Sequence, residues 1–461
     1  MINGGCVGHE VEDDCDGCQI GPFERAVVRD ALKKQQKRAA VPARIAQRSA
    51  ELASEGFQAW LKAREANDFS VLAPILEEWV ALTQEKCQLI DSSQTPYDIC
   101  LDEFERGMTS QRLDEVFSEV KKGLLPLLSS IRARGVPPSN DWIKGSYNPD
   151  EQAKLCLRIC TDLGFMLDQG RLDVSAHPFT GETHPTDVRM TTRFKEGCLM
   201  EGLQGAIHET GHALYEQGRN MEYEGLPVSE PLSTGVHESQ SLLWERMVAG
   251  GLPFCHYLLP VIKEHFPEFP ATATAGDLYR AMNMVHDPSL VRTESDEVTY
   301  PMHVVLRYEL ERDLINGTIQ VADLPRLWNE KMLEYLGCTP PDDARGILQD
   351  VHWSSGMFGY FPTYSLGAMY ACQMFEQAKK ELPDLEQDIA AGQFSQLRDW
   401  LYSEIHQVGS LYESGDHLME KLTGSQLRPE CFLQYLRDKY GPLYQLEEPQ
   451  LAESINSADE S

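Results

Sequence analysis

Residues 200–218 read MEGLQGAIHETGHALYEQG, and the apolar spacing of this segment predicts a helix. Each helical residue turns by about 100°, so side chains four positions apart lie on one face. His208 and His212 can therefore present nitrogen atoms to a single metal ion. Glu209 stands one position after the first histidine, from where it can reach a water molecule on that ion and act as general base. The segment predicts a hydrolytic metal site carried by a helix.

A third metal ligand is expected on a second helix. In the pattern HExxHxxGxxH, glycine and histidine would occupy the positions that hold Tyr215 and Gly218 here, so this arrangement is excluded. After a turn containing Ser and Gly, EPLSTGVHESQSLLWERM (residues 230–247) resumes helical spacing and contains Glu238. A set of two histidines and one glutamate leaves a fourth position open for water or substrate.

Other side chains near these helices compete for the same roles. Glu216 and Glu245 are alternative carboxylate ligands, although we favour Glu238. His237 is expected to line the pocket or to orient a ligand, because a fourth protein ligand would close the site to chemistry.

Charge narrows the classes of partner. The chain has 461 residues, with 41 Lys and Arg against 72 Asp and Glu, which gives a formal charge of −31. This balance argues against nucleic acid or an anionic membrane face as partner, because either would need a basic patch. The longest apolar runs are well short of the length that a membrane span needs, which is about 18 residues. The start of the chain does not resemble a secretory signal. We expect a cytoplasmic protein.

Helical spacing dominates the chain. It runs from residue 23 to residue 91, with a break at Pro42 and a second near Asn67. Residues 171–193 differ, since alternation and enrichment in Thr and Val predict two or three short strands. The predicted fold class is mainly α, a single large helical body with a small β-sheet patch near the helix that carries HETGH.

Three segments are distinguished along the chain. Residues 1–21 are expected to be a disordered, divergent leader, residues 22–445 the helical domain, and residues 446–461 a disordered tail. Cys6, Cys15 and Cys18 lie in the leader, where a CxxC pair could hold a metal or form a disulfide. A second pair that would complete a zinc site is absent, so the sequence assigns the leader no role.

Six short motifs occur in a fixed order. They are HPF at 177–179, DVRMT at 187–191, HETGH at 208–212, HESQ at 237–240, VRTESD at 291–296 and GILQDVHW at 346–353. The chain resembles the carboxypeptidase Taq family of metallocarboxypeptidases, whose pattern is HPF, DxRxT, HExxH, HES or HEG followed by Gln, IRxxAD and GxxQDxHW. Val291 replaces Ile and Ser295 replaces Ala, and both changes leave Arg292 and Asp296 in place.

The resemblance implies a zinc-dependent carboxypeptidase of broad specificity that works on peptides in a deep groove, as a homodimer. His208, His212 and Glu238 would hold one zinc ion per chain, for which cobalt or manganese could substitute, with Glu209 as general base. Family members usually carry more helical chain before the segment that begins near Phe23, so the usual N-terminal helices are expected to be missing.

Carboxypeptidase chemistry also needs a donor for the developing oxyanion. Tyr364 is the favoured candidate, followed by His303, and Tyr360 is a further one. His352, in GILQDVHW, is expected to line the pocket or to orient the zinc histidines, as is Asp350.

A fixed guanidinium is suited to binding the free C-terminal carboxylate through paired hydrogen bonds. The family motif makes Arg292 the best candidate, with Arg307 and Arg345 as alternatives. Two other functions stay open. The same metal site could serve a gluzincin endopeptidase or dipeptidase. Alternatively, the chain could be an inactive peptide-binding scaffold whose shortened N-terminus no longer supports catalysis.

Overall fold

The computed structural model describes residues 20–446. Apart from residues 20, 21 and 446, the predicted leader and tail lie outside these residues, and so do Cys6, Cys15 and Cys18. The cysteines within the described range are free thiols.

Helices make up most of the described chain, as predicted. They are α1 Pro22–Ala40, α2 Ala43–Ala66, α3 Ala73–Ile90, α4 Pro96–Leu101, α5 Ser110–Arg134, α6 Pro149–Leu163, α7 Leu199–Gln217, α8 Thr234–Leu242, α9 Leu252–His265, α10 Ala275–Met282, α11 Tyr300–Ile315, α12 Leu324–Leu336, α13 Pro362–Glu381, α14 Leu385–Ala390, α15 Ser395–Glu404, α16 Gly415–Thr423 and α17 Pro429–Leu443. A π-helical segment, Leu243–Ala249, continues α8.

Local sequence explains where the first helices end. Pro42 precedes α2 in an extended conformation, and a proline cannot continue a helix because it lacks the amide hydrogen. Asn67 ends α2 with φ 53°, in the left-handed region that asparagine tolerates better than most residues. Asp68 then caps the short turn before α3, since its side chain accepts a hydrogen bond from the amide of Ser70. Both breaks lie where the sequence predicts them.

The predicted β patch forms a three-stranded sheet. Its strands are β1 Gly170–Val174, β2 Phe179–His184 and β3 Asp187–Thr192. β3 lies in the centre, parallel to β1 and antiparallel to β2. Val188 and Met190 of β3 are fully buried against α7, and Thr192 Oγ1 donates a hydrogen bond to the carbonyl of Gly202 at 2.9 Å. The sheet therefore forms one wall beside α7.

Three helices in the interior, α7, α11 and α13, bury residues on nearly every face. Such helices can carry charged side chains only if these find partners, since an unpaired buried charge is costly. Arg307 and Glu311 of α11, both fully buried, are of this kind. Among the helices described, none is long and apolar enough to cross a membrane.

Candidate metal centre and active site

Helices α7 and α8 bring His208, His212 and Glu238 together. One ligand atom from each lies within 4.8 Å of the others. Glu238 Oε2 is 3.2 Å from His212 Nε2 and 3.9 Å from His208 Nε2. A tetrahedral ion with bonds of about 2.0–2.2 Å needs ligand atoms roughly 3.3–3.6 Å apart. The three side chains therefore fit a zinc-sized ion with only small adjustment.

Two glycines allow α8 to pack closely against α7 and α13. A Cβ atom on Gly211 of α7 would lie 2.5 Å from Ser241 Cα and 2.5 Å from the Gln240 carbonyl oxygen, both backbone atoms of α8. A Cβ atom on Gly367 of α13 would lie 2.8 Å from Glu238 Cγ. Because only glycine fits at such distances, α8 is held between α7 and α13 with Glu238 directed at the two histidines.

His208 is oriented by Glu245. Its Nδ1 atom lies 2.7 Å from Glu245 Oε2, and because an ionised carboxylate can only accept, Nδ1 carries the proton. The Nε2 atom is then directed at the metal position, where a bound metal ion would replace the second proton of the imidazolium. Although burial opposes the charged form, Glu238 and Glu245 raise the pKa of His208 to about 10. The carboxylates thus create a strongly cation-attracting site.

A chain of polar contacts orients His212. His212 Nδ1 lies 2.7 Å from His237 Nδ1, and His237 Nε2 lies 2.9 Å from Glu216 Oε1. Arg219 Nη1 donates to Glu216 Oε2 at 2.7 Å. Since Glu216 accepts the Nε2 proton of His237, Nδ1 of His237 can accept the proton of His212. This leaves His212 Nε2 free for a metal, and Glu216 and His237 stand behind that ligand.

Glu209 lies beside the cluster without belonging to it. Its side chain is almost fully buried, and Oε2 accepts a hydrogen bond of 2.7 Å from Thr180 Oγ1 of β2. Glu209 lines the same cavity as His212 and Glu238. The sequence does not indicate Thr180 as a site residue, because nothing in the alternating pattern of the strand distinguishes it from its neighbours.

The cavity has a volume of about 820 Å³. Besides the metal-site residues, Tyr360 lines it, and so do residues of α1 and of the segment after α4, among them Lys33, Lys37 and Asp102. The cavity thus lies between α1 with the segment after α4 on one side and the metal-bearing helices α7 and α8 on the other. The family resemblance implies a groove at such a site.

Arg292 takes part in a buried cluster centred on Asp350. Its Nε and Nη2 atoms donate to Asp350 Oδ1 at 3.0 and 2.7 Å, and Nη1 donates to the Tyr300 hydroxyl at 2.7 Å. Arg307 Nε donates to Asp350 Oδ2 at 2.6 Å. Although burial works against ionisation, the two guanidiniums hold the pKa of Asp350 well below its usual range. The sequence predicts that Asp350 lines the pocket or orients the zinc histidines, but in the structure Asp350 orients two arginines. Arg345 lies at the surface.

The three candidate oxyanion donors differ in position. Tyr360 lines the cavity with Glu209. The ring of Tyr364 contacts that of Tyr360, with the centroids 5.3 Å apart. The Tyr364 hydroxyl is 3.2 Å from His352 Nε2, and its ring is 4.9 Å from the Arg292 guanidinium carbon. His303 is fully buried, and its Nε2 atom lies 3.0 Å from Ser289 Oγ. The structure thus brings the tyrosines, and not His303, near the metal cluster.

The sequence model of the carboxypeptidase Taq (M32) metallopeptidase family matches residues 8–440. The chain belongs to this family. The resemblance predicted from the six motifs is thereby confirmed, and the protein is a metallocarboxypeptidase that acts on peptides.

Proteins of similar sequence and structure align with most of this chain. Thermostable carboxypeptidase 1 of Thermus thermophilus is 39% identical over 426 residues, which is 90% of this chain and 83% of the relative. Carboxypeptidase 1 of Bacillus subtilis is 38% identical over 395 residues, 86% of this chain and 78% of the relative. The crystal structure of an M32 carboxypeptidase from Deinococcus radiodurans superposes with a TM-score of 0.89 at 35% identity, covering 93% of this chain and 86% of that one. The predicted mainly α fold is confirmed.

Proposed function

We propose that this M32 carboxypeptidase is zinc-dependent and removes the C-terminal residue of peptides with broad specificity. The observation that carries the proposal is the cluster of His208, His212 and Glu238 with Glu209 beside it. Two histidines and a carboxylate suit zinc, and when bound, the ion would polarise the scissile carbonyl and lower the pKa of a water molecule. Cobalt or manganese could occupy the same ligands.

Glu209 is the proposed general base. Its carboxylate takes a proton from the attacking water and then delivers that proton to the amine of the leaving residue. The hydrogen bond from Thr180 to Oε2 fixes the carboxylate in one orientation. The rest of the carboxylate faces the cavity, where water and the scissile bond meet it.

We assign substrate binding to Arg292 and to the tyrosines that pack against it. Arg292 is the proposed anchor for the C-terminal carboxylate, since Asp350 holds its guanidinium in place and the Tyr364 ring covers it. Tyr364 is the proposed donor to the oxyanion, with Tyr360 next to it in the cavity. For His303, bonded to Ser289 and 3.5 Å from Arg307 Nη1, we infer a supporting role.

Amidation of the peptide C-terminus tests this function. A peptide with a free carboxylate should lose one residue at a time, and its amide should be cleaved far more slowly, because the anchor has lost its charged partner. Equal cleavage of both peptides would favour a gluzincin endopeptidase. Metal analysis of the purified protein, with activity after removal and return of zinc, separates an enzyme from an inactive peptide-binding scaffold.

The homodimer and the cytoplasmic location stay predictions that rest on the family resemblance and on the composition. Sedimentation of the full chain at several concentrations checks the homodimer, and fractionation of cells checks the location.

A further inference from the structure

Cys87 and Cys100 hold their sulfur atoms in contact. Cys87 lies in the last turn of α3 and Cys100 lies in α4, and both are free thiols. Their Sγ atoms are 3.7 Å apart, and a disulfide bond of about 2.05 Å would require an approach of only about 1.7 Å. The two helices therefore place the thiols close to the geometry of a disulfide before any bond is made.

Both thiols line a second cavity, which is separate from the metal site and has a volume of about 150 Å³. A water molecule occupies about 30 Å³ in the liquid, and hydrogen peroxide contains only one oxygen atom more. Ser49 and Lys86 line the same cavity and are partly exposed. A small oxidant can therefore reach the two sulfur atoms, although both cysteines are buried.

The two thiols differ in acidity. A hydrogen bond from the Cys100 thiol lowers the pKa of Cys87, and the charge of Lys86 acts in the same direction, although burial and Glu103 oppose them. The same hydrogen bond and burial raise the pKa of Cys100 well above its usual range. Lys86 also pairs with Glu103 at 2.9 Å. Because the thiolate is the nucleophile in thiol chemistry, Cys87 is the reactive sulfur of the pair.

The backbone of Cys100 supports one wall of the active-site cavity. A Cβ atom on Gly359 would lie 2.6 Å from the carbonyl carbon and oxygen atoms of Cys100, so the segment that continues into Tyr360 packs directly on α4. The chain that follows α4 carries Phe104, whose ring contacts that of Tyr360 edge to face at 5.0 Å. Phe104 and Tyr360 line the active-site cavity together with Glu209. A displacement of Cys100 would therefore disturb residues that face the substrate.

We propose that a peroxide converts Cys87 and Cys100 to a disulfide, and that this modification lowers peptidase activity by displacing the wall at Phe104 and Tyr360. The Cys87 thiolate attacks one peroxide oxygen, the O–O bond breaks, and the leaving hydroxide takes up a proton to form water. The Cys100 sulfur then attacks the sulfur of the Cys87 sulfenic acid. The S–S bond forms, the S–O bond breaks, and the oxygen leaves as water with the Cys100 proton. The two thiols together lose two electrons and two protons, and the peroxide is reduced to two water molecules.

The test treats the reduced, zinc-loaded full chain with hydrogen peroxide. Zinc has no redox chemistry, so the metal is not a competing target. Mass spectrometry of peptides prepared without reductant should show Cys87 linked to Cys100. We expect kcat/KM for a short peptide to fall by about tenfold, since small displacements in an active site can cost up to about a hundredfold. Dithiothreitol should break the bond and restore the activity.

Variants separate the two sulfur atoms. Cys87→Ala should prevent both the disulfide and the loss of activity, because the attacking sulfur is absent. Cys100→Ala should stop the reaction at the sulfenic acid of Cys87, which dimedone labels. Cys431→Ser is the control, since burial and a hydrogen bond to Glu376 raise the pKa of Cys431 to about 11. This variant should keep the disulfide and the loss of activity.

Other outcomes would overturn the inference. If peroxide-treated wild type contains no peptide that links Cys87 to Cys100, the pair is not a redox site, and this result needs no variant to fold. A disulfide that forms while kcat/KM stays the same contradicts the link to the active-site wall. A loss of activity that persists in Cys87→Ala, or that dithiothreitol does not reverse, would assign the effect of peroxide to another residue.

Discussion

Gly367 of α13 packs directly on Glu238 of α8. A Cβ atom at this glycine would lie 2.8 Å from Glu238 Cγ and 2.9 Å from Glu238 Cβ, closer than carbon atoms approach in folded proteins. The position of the glutamate in the metal cluster is therefore set from behind by a different helix. A residue that touches neither metal nor substrate thus controls the geometry of the site.

Gly367→Ala should weaken metal binding by about tenfold or more, the usual loss when support behind a metal ligand is disturbed. The added methyl group must push Glu238 away from the histidines. Gly276→Ala is a matched control, since it also lies in a helix, but its nearest neighbour would be 3.5 Å away. Metal content after dialysis against graded chelator measures both; equal retention would show that this packing does not set the site.

Glu209→Gln should abolish hydrolysis while metal content stays normal, because the side chain is the proposed base and not a ligand. We expect a loss of about a hundredfold to ten-thousandfold in kcat. His212→Ala and Glu238→Ala should instead lose the metal. Near-normal turnover by Glu209→Gln would rule out its role as base.

Thr180→Val should lower kcat by about tenfold, since it removes the 2.7 Å hydrogen bond to Glu209 and retains the shape of the side chain. Metal content should change little, because Thr180 does not belong to the metal cluster. Thr180→Ser keeps the hydroxyl and should retain most of the activity. If Ser and Val behave alike, the hydrogen bond has no part in positioning Glu209.

Asp350→Asn should destabilise the protein by about 3–5 kcal/mol, because Arg292 and Arg307 would be left buried without a counter-charge. Urea unfolding of the metal-free proteins measures the change. Asp342→Asn is the control, since its partner Arg345 is largely exposed and solvent screens the pair. A comparable loss in both variants would contradict the special role of the buried cluster.

Glu311 predicts a pH dependence of stability. It accepts hydrogen bonds from the Tyr97 hydroxyl, the Trp353 indole and the Gly359 amide, yet burial outweighs them and raises its pKa from 4.5 to about 7. A raised pKa means that the folded state binds the proton more tightly than the unfolded state. The stability from Glu311 is therefore fully present below pH 4.5 and is lost as the pH rises through 7.

The measurement compares the unfolding free energies of wild type and Glu311→Gln across this range. The wild type should lose stability relative to the variant between pH 4.5 and 7, by at most about 1.4 kcal/mol per pH unit for one proton. Above pH 7 to 8 the difference should level off. A difference that does not change with pH would mean that Glu311 has an ordinary pKa.

Local features of the sequence were sufficient to predict where the first helices end and that the two histidines share one helix face. Pro42 and Asn67 act through their own backbone preferences, and His208 and His212 share a face by helical spacing alone. The identity of the carboxylate ligand could not be derived from spacing, since spacing does not distinguish Glu216, Glu238 and Glu245. In the structure Glu216 contacts His237 and Glu245 contacts His208 Nδ1. Glu238 alone of the three lies beside the Nε2 atoms of His208 and His212.

Contacts between distant segments could not be predicted in this way. Thr180 reaches Glu209 because β2 lies beside α7. Asp350 was expected to line the pocket or to orient the zinc histidines, but it pairs with two arginines from different segments. These positions depend on packing, which periodicity does not encode.

The packing of α8 against α13 has a consequence for biosynthesis. The metal cluster uses residues from 208 to 238, but the wall that sets Glu238 in place is made only when residues 362–381 have left the ribosome. A nascent chain therefore carries its histidines long before it carries a finished site. Proteolytic capacity therefore requires residues 362–381 and cannot arise while only the residues of the metal cluster have been made.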